Sequence, residues 1–177
     1  MKIDKHTLMD TVGKALFFTS YPKTLIKSTF PDNRYSKFDL IVEEKGVDKY
    51  IEIKTMRDCY NSYYEQIITK SDFDYLVYST PKNSKSLLYC VDNNYTIVYD
   101  LKAIAEANTY TTKVQGNYKD EMQKTGYKNE EMVFLNYSEN KKAGHLSFKN
   151  VGAIKMLDIN VVELLNNLQS NKITEVI

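Results

Sequence analysis

Asp39, Glu52 and Lys54 are the residues of this 177-residue chain whose types and spacing could do chemistry. They fall between Phe38 and Thr55, a stretch that reads as two apolar strands joined by a charged turn at Glu44-Lys45-Gly46-Val47. With the turn centred there, antiparallel pairing sets residue 39 opposite residue 52. Side chains alternate along a strand, so Glu52 and Lys54 share one face while Ile51 and Ile53 take the other. Two carboxylates and an ammonium thus gather on one face of a hairpin whose reverse is apolar. Such a trio suits a divalent cation held against a phosphodiester. Magnesium takes hard oxygen ligands, keeps several waters and needs only one or two carboxylates. It neutralises phosphate charge and lowers the pKa of bound water. A lysine alongside orients or activates the attacking water and stabilises the charged transition state. The backbone carbonyl of Ile53, between the two side chains, is a natural further ligand. Without a cation the paired carboxylates repel, which raises one pKa.

The elements that must position these groups follow from periodicity. His6 to Phe18 has apolar residues at helical spacing, with Asp4 as N-cap and Tyr21-Pro22 as terminator. A strand near Thr24 to Ser28 leads through a turn at Pro31-Asp32-Asn33 into hairpin strands at about Lys37 to Val42 and Lys49 to Thr55. A helix is expected over Asn61 to Lys70, with Tyr64, Ile67 and Ile68 inward. Strands are expected over Asp74 to Ser79, Ser86 to Val91 and Tyr95 to Tyr99, with Asp100 capping a helix over Leu101 to Asn108. Thr111 to Glu131 is polar without a dominant period and reads as a loop. Met132 to Tyr137 and Leu146 to Phe148 bracket a polar turn, Ser138 to His145, and Val161 to Leu168 gives an amphipathic C-terminal helix. The order predicts one α/β domain spanning 1–177, a mixed central sheet flanked by helices.

Hydrophobic residues make up 42% and charged residues 27%, which excludes a disordered chain. The net charge of +1 provides no global field toward a polyanion, so any nucleic-acid contact must come from a local basic rim. No apolar run is long enough to cross a bilayer, and Met1 to His6 lacks the apolar stretch of a secretory signal. Cys59 and Cys90 are too few for a disulfide framework or a cysteine zinc site. The expected setting is cytoplasmic, with no membrane partner.

Asp39, twelve intervening residues and Glu52-Ile53-Lys54 resemble the PD-(D/E)xK nuclease superfamily, which has the restriction-endonuclease-like fold. The resemblance covers about residues 6–100 and leaves 101–177 as an extension for substrate recognition or a dimer contact. It implies a Mg²⁺-dependent DNA endonuclease, with Mn²⁺ able to substitute. Asp39 and Glu52 would bind metal with the Ile53 carbonyl, and Lys54 would be the catalytic lysine. Phe38 precedes Asp39 where the motif has proline; Pro31-Asp32 is a literal match, but Asp32 sits in the turn before the strand. Asp10 is the best match to an acid that some members add from the first helix, and Glu65 and Gln66 would approach from the following helix. A homodimer fits enzymes of this kind that cut both strands.

Lys23, Lys27, Arg34, Lys37 and Arg57 flank the hairpin and would form the basic rim, Arg57 being the expected phosphate contact. His6 resembles the manganese-ligating histidine of viral cap-snatching RNA endonucleases, which makes RNA the alternative substrate. A catalytically inactive nucleic-acid-binding or assembly protein of the same fold is the other alternative. His145 is expected in an exposed loop, and the tyrosines are expected mainly to pack.

Overall fold

The β-hairpin turns on two residues. In the computed structural model, which describes residues 14, 28–29, 31, 36–55, 65–91, 95–117 and 128–150, β2 (Leu40–Glu44) and β3 (Val47–Thr55) pair antiparallel from Glu44↔Val47 to Leu40↔Ile51. Lys45 (φ 54°) and Gly46 (φ 77°) close the loop. Positive φ at both central residues matches a turn to the right-handed twist of its flanking strands. The paired ladder ends at Leu40↔Ile51, one step short of residues 39 and 52.

β1 (Ser28–Thr29) pairs with β2, and β3 lies parallel to β5 (Lys85–Val91). β5 continues antiparallel to β6 (Tyr95–Asp100), which pairs with β9 (Leu146–Asn150). The result is an open, mixed six-stranded sheet in the order β1-β2-β3-β5-β6-β9. A second sheet, β4-β8-β7, is built from β4 (Glu65–Thr69), β7 (Tyr110–Asn117) and β8 (Lys128–Asn136), all antiparallel. Beside helical Lys14, the described residues include three short helices. They are α1 (Lys70–Asp74), prolonged by a π-helical segment Tyr75–Ser79, then α2 (Leu101–Ala107) and α3 (Tyr137–Lys142). The architecture is mixed α/β.

Registers assign the faces. Glu52 and Lys54 lie beside Leu88 and Cys90, which lie beside Tyr99 and Ile97. Those four neighbours are buried with Phe73, Leu76, Leu101 and Ile104 of the helices and with Ile68, Val133 and Leu135 of the second sheet. One apolar cluster therefore joins both sheets, and the two charged side chains of β3 stand one strand from it. The other face, with Leu40, Ile51, Ile53, Leu87, Tyr89 and Val98, is buried too.

Several expectations are corrected. The helix expected over Asn61 to Lys70 is strand β4 from Glu65, because Gln66 and Ile68 alternate into the core while Ile67 points out and β8 supplies the ladder. Asp74 to Ser79, expected as a strand, is helical. Thr69 caps α1 by accepting the Asp72 N–H at 3.2 Å, and Phe73 and Leu76, one turn apart, bury together. Apolar residues at i and i+3 outweigh the β-propensity of Tyr, Val and Leu here. The loop expected over Thr111 to Glu131 holds most of β7 and the start of β8; residues 111–115 are exposed on both faces, so pairing left no apolar period to read. The polar turn at Ser138 to His145 contains α3, capped by Asn136 and anchored by buried Asn140, whose amide donates to the Thr109 carbonyl at 3.0 Å. Asp100 caps α2 as expected, accepting from Ala103 N–H at 3.3 Å. Of the first helix only Lys14, which is helical, is described; the C-terminal helix and the Pro31-Asp32-Asn33 turn fall outside the described residues, Pro31 excepted.

A Cβ at position 46 would meet no atom within 4 Å, so the cost of substitution there is backbone strain alone. Gly46→Ala is expected to destabilise by about 1–2 kcal/mol, lowering the unfolding midpoint by roughly 2–8 °C. Lys45→Asn, which tolerates positive φ better, is expected to raise it slightly; thermal unfolding followed by circular dichroism checks both.

Candidate functional site

Where β2 begins, a side chain takes over from the backbone. The Asp39 N–H donates to the Ile51 carbonyl at 2.8 Å, although it is Leu40 that faces Ile51, so the ladder is bent at this point. The Ile53 N–H then donates to Asp39 Oδ2 at 2.7 Å. Phe38 holds the approach. Its ring stands edge-on to Tyr50 (centroids 5.2 Å apart, 85°) and stacks with Tyr75 (6.3 Å, 19°). The N–H and C=O of one extended residue point to the same side. The Ile53 carbonyl is therefore directed past the start of β2, toward the Asp39 flank.

Glu52 lies within reach of the Asp39 charge and is largely buried, with 19% of its side chain exposed against 15% for Asp39. Burial pushes its carboxyl up to about 8, Asp39 and Asp72 push the same way, and Lys54 and Lys14 oppose. Lys54 Nζ is 3.7 Å from Glu52 Oε1, an ion pair longer than a hydrogen bond. Lys14, from the N-terminal region, places Nζ 2.7 Å from Asp39 Oδ1. Asp72, in the first turn of α1, is paired with Lys37 at 2.7 Å. Three acids and three lysines thus alternate around the end of one hairpin. The Cys90 thiol beside Lys54 is pushed up to about 12 by burial, which makes it inert packing.

Asp39 meets the Ile53 N–H, Lys54 pairs with Glu52, and the Asp39 charge is felt at Glu52. Lys37 lies nearby, but its ammonium is held by Asp72 and by Ser71 Oγ at 3.2 Å. Gln66 is corrected: it lies on β4, not on a helix, and is only 4% exposed, too buried for a backbone phosphate to reach. His145 is half-buried between α3 and β9, its N–H donating to the Asn140 carbonyl at 2.9 Å. Asp10, Arg34, Arg57, His6, Asp32, Cys59, Lys23 and Lys27 lie outside the described residues. Sequence reasoning missed Lys14 and Asp72. Lys14 falls on the polar side of a predicted helix, where a lysine draws no notice, and Asp72 follows a segment assigned to the wrong element.

Do these groups fit a divalent cation? Among the described residues no three His, Cys, Asp or Glu side chains are spaced to hold one by themselves. Magnesium needs fewer: two carboxylates, a carbonyl and waters make an ordinary site. The donor set is hard oxygen throughout. A glutamate held protonated by burial and by two neighbouring acids is a group that a cation would return to its charged form. The Lys14 ammonium already marks a cation position against Asp39. The residues fit. Comparisons with protein-family models, curated proteins and solved structures find no match to this chain.

The raised proton affinity of Glu52 has a consequence for stability. The folded chain keeps the Glu52 proton up to about pH 8, whereas the ordinary carboxyl releases it near 4.5. Between those values the folded state binds more protons than the unfolded state, so stability falls as pH rises across the window and levels off above it. In chelator, Glu52→Gln is expected to remove this slope. It should be more stable than the native chain at pH 8.5 by a few kcal/mol, because each tenfold gain in proton affinity is worth about 1.4 kcal/mol. Urea unfolding at pH 5 and pH 8.5 reads the difference, and parallel pH profiles would refute it.

Proposed function

We propose that this protein is a metal-dependent nuclease of the PD-(D/E)xK type, a Mg²⁺-dependent DNA endonuclease that hydrolyses internal phosphodiesters. The observation that carries the reading is the meeting of Asp39 and Glu52 on one face at the open end of the β2–β3 hairpin, with Lys54 alongside. Element order supports it. β1, the β2–β3 hairpin and β5 parallel to β3 match the strand, motif hairpin and later strand that the resemblance implies, while β4 stands before helix α1 where the resemblance has a helix directly. On this reading the fold is restriction-endonuclease-like.

Asp39, Glu52 and the Ile53 carbonyl would hold Mg²⁺, with Mn²⁺ able to take its place. When bound, the cation supplies charge neutralisation at the phosphate and acidifies a water. Asp39 needs no reorganisation, because the Ile53 N–H fixes its carboxylate. Glu52 must surrender its proton to act as a ligand, so loading releases a proton and is favoured toward pH 8. Lys54 sits on the Glu52 side and would orient the attacking water and balance charge at phosphorus. Lys37, on the rim beside α1, would meet the nucleic-acid backbone by leaving Asp72.

The non-catalytic alternative is favoured by one observation: both Asp39 oxygens already have partners, as in a structural cap. Plasmid DNA and single-stranded RNA, each with Mg²⁺, Mn²⁺ or chelator, separate the readings. The expected result is metal-dependent DNA cleavage that falls by about a hundredfold or more in Lys54→Ala. DNA left intact under every metal leaves the binding protein. Cleavage confined to RNA with Mn²⁺ and lost in His6→Ala would point to the cap-snatching type.

A further inference from the structure

The Asp39 carboxylate is gripped from two sides. The Ile53 N–H holds Oδ2 at 2.7 Å and the Lys14 ammonium holds Oδ1 at 2.7 Å, with 29% of the lysine side chain exposed. The first contact joins the carboxylate to a β3 backbone N–H just beyond the last β2–β3 pair. The second comes from a long flexible side chain outside the hairpin. A single positive charge set against the Asp39 carboxylate is a surrogate for a cation there.

We propose that Lys14 is a built-in competitor for the metal: its ammonium neutralises Asp39 in the metal-free protein and must vacate Oδ1 before a divalent cation binds there. The proposal rests on the metal-site reading above and adds its regulation. Two like charges at adjacent positions of one sheet face destabilise the pair unless compensated. Lys14 provides that compensation at Asp39, and a divalent cation would take its place. Its affinity is therefore set partly by how tightly Lys14 holds Asp39, and removal of the ammonium should strengthen binding, the reverse of what removing an ordinary site residue does.

The test is calorimetric titration of the full chain with MnCl₂ at pH 7.5 and fixed ionic strength. It compares the native protein with Lys14→Met, which keeps length without charge, and Lys14→Arg, which keeps charge. Circular dichroism and the unfolding midpoint report whether each variant folds. Lys14→Met is expected to bind Mn²⁺ about tenfold more tightly, the gain from not breaking a partly buried ion pair, and Lys14→Arg is expected to stay near the native affinity. Equal or weaker binding in folded Lys14→Met overturns the proposal while leaving the metal site intact, provided the native chain binds Mn²⁺. Absence of Mn²⁺ binding in all three proteins overturns both. Should Lys14→Met fail to fold, Lys14→Gln and Lys14→Arg carry the comparison, and equal affinity in those two overturns the competition.

Discussion

The bond from the Ile53 N–H to Asp39 Oδ2 decides most of what this site can be. An antiparallel ladder normally closes with backbone carbonyls, and here a carboxylate takes that place just where β2 starts. The substitution ties an acid to the backbone between Glu52 and Lys54, so the three groups share one rigid reference. Without it, Asp39 would be a side chain on a bend, free to turn toward water. With it, like charges are forced together, and everything else around the hairpin end is an answer to that repulsion.

The answers come from three parts of the chain. Lys54 arrives two residues along the same strand, Lys14 from the N-terminal region, and Lys37 from the strand approach, where it pairs with Asp72, an acid of α1 that itself adds to the load on Glu52. Their balance falls short on Glu52. Burial outweighs both lysines, and the carboxyl stays protonated to about pH 8. A purely structural network would gain by replacing such a group with an amide or an apolar residue, since buried charge is stabilising only when fully paired.

The hairpin and its register were legible because they rest on local signals: alternation at Leu40 to Val42 and Tyr50 to Ile53, a Gly at the turn, and strict two-residue periodicity. The capped helix after Asp100 was legible for the same reason. What was not legible depended on distant pairing. β4 reads as a helix until β8, more than sixty residues later in the chain, offers it a ladder. β7 and the start of β8 bury little on either face, so no periodicity announced them. The run Tyr75–Ser79 has the composition of a strand and becomes helical because Phe73 and Leu76 find the core together. Lys14 and Asp72 were invisible as site residues because their role exists only once three remote segments converge.

That convergence explains why β4 must end where it does. Thr69 is both the last residue of the strand and the N-cap of α1, its hydroxyl accepting the Asp72 N–H. The strand therefore delivers the helix with Asp72 in its first turn, where a negative charge is favoured by the unpaired N–H groups. Asp72 can then hold Lys37 at the rim and raise Glu52 at the same time. A strand-to-helix switch that serves the second sheet thus also places one of the charges that act on Glu52, a smaller one than burial, Asp39 or Lys54. Changes that loosen this junction should reach the acid pair without touching it, because the field at Glu52 depends on where α1 begins.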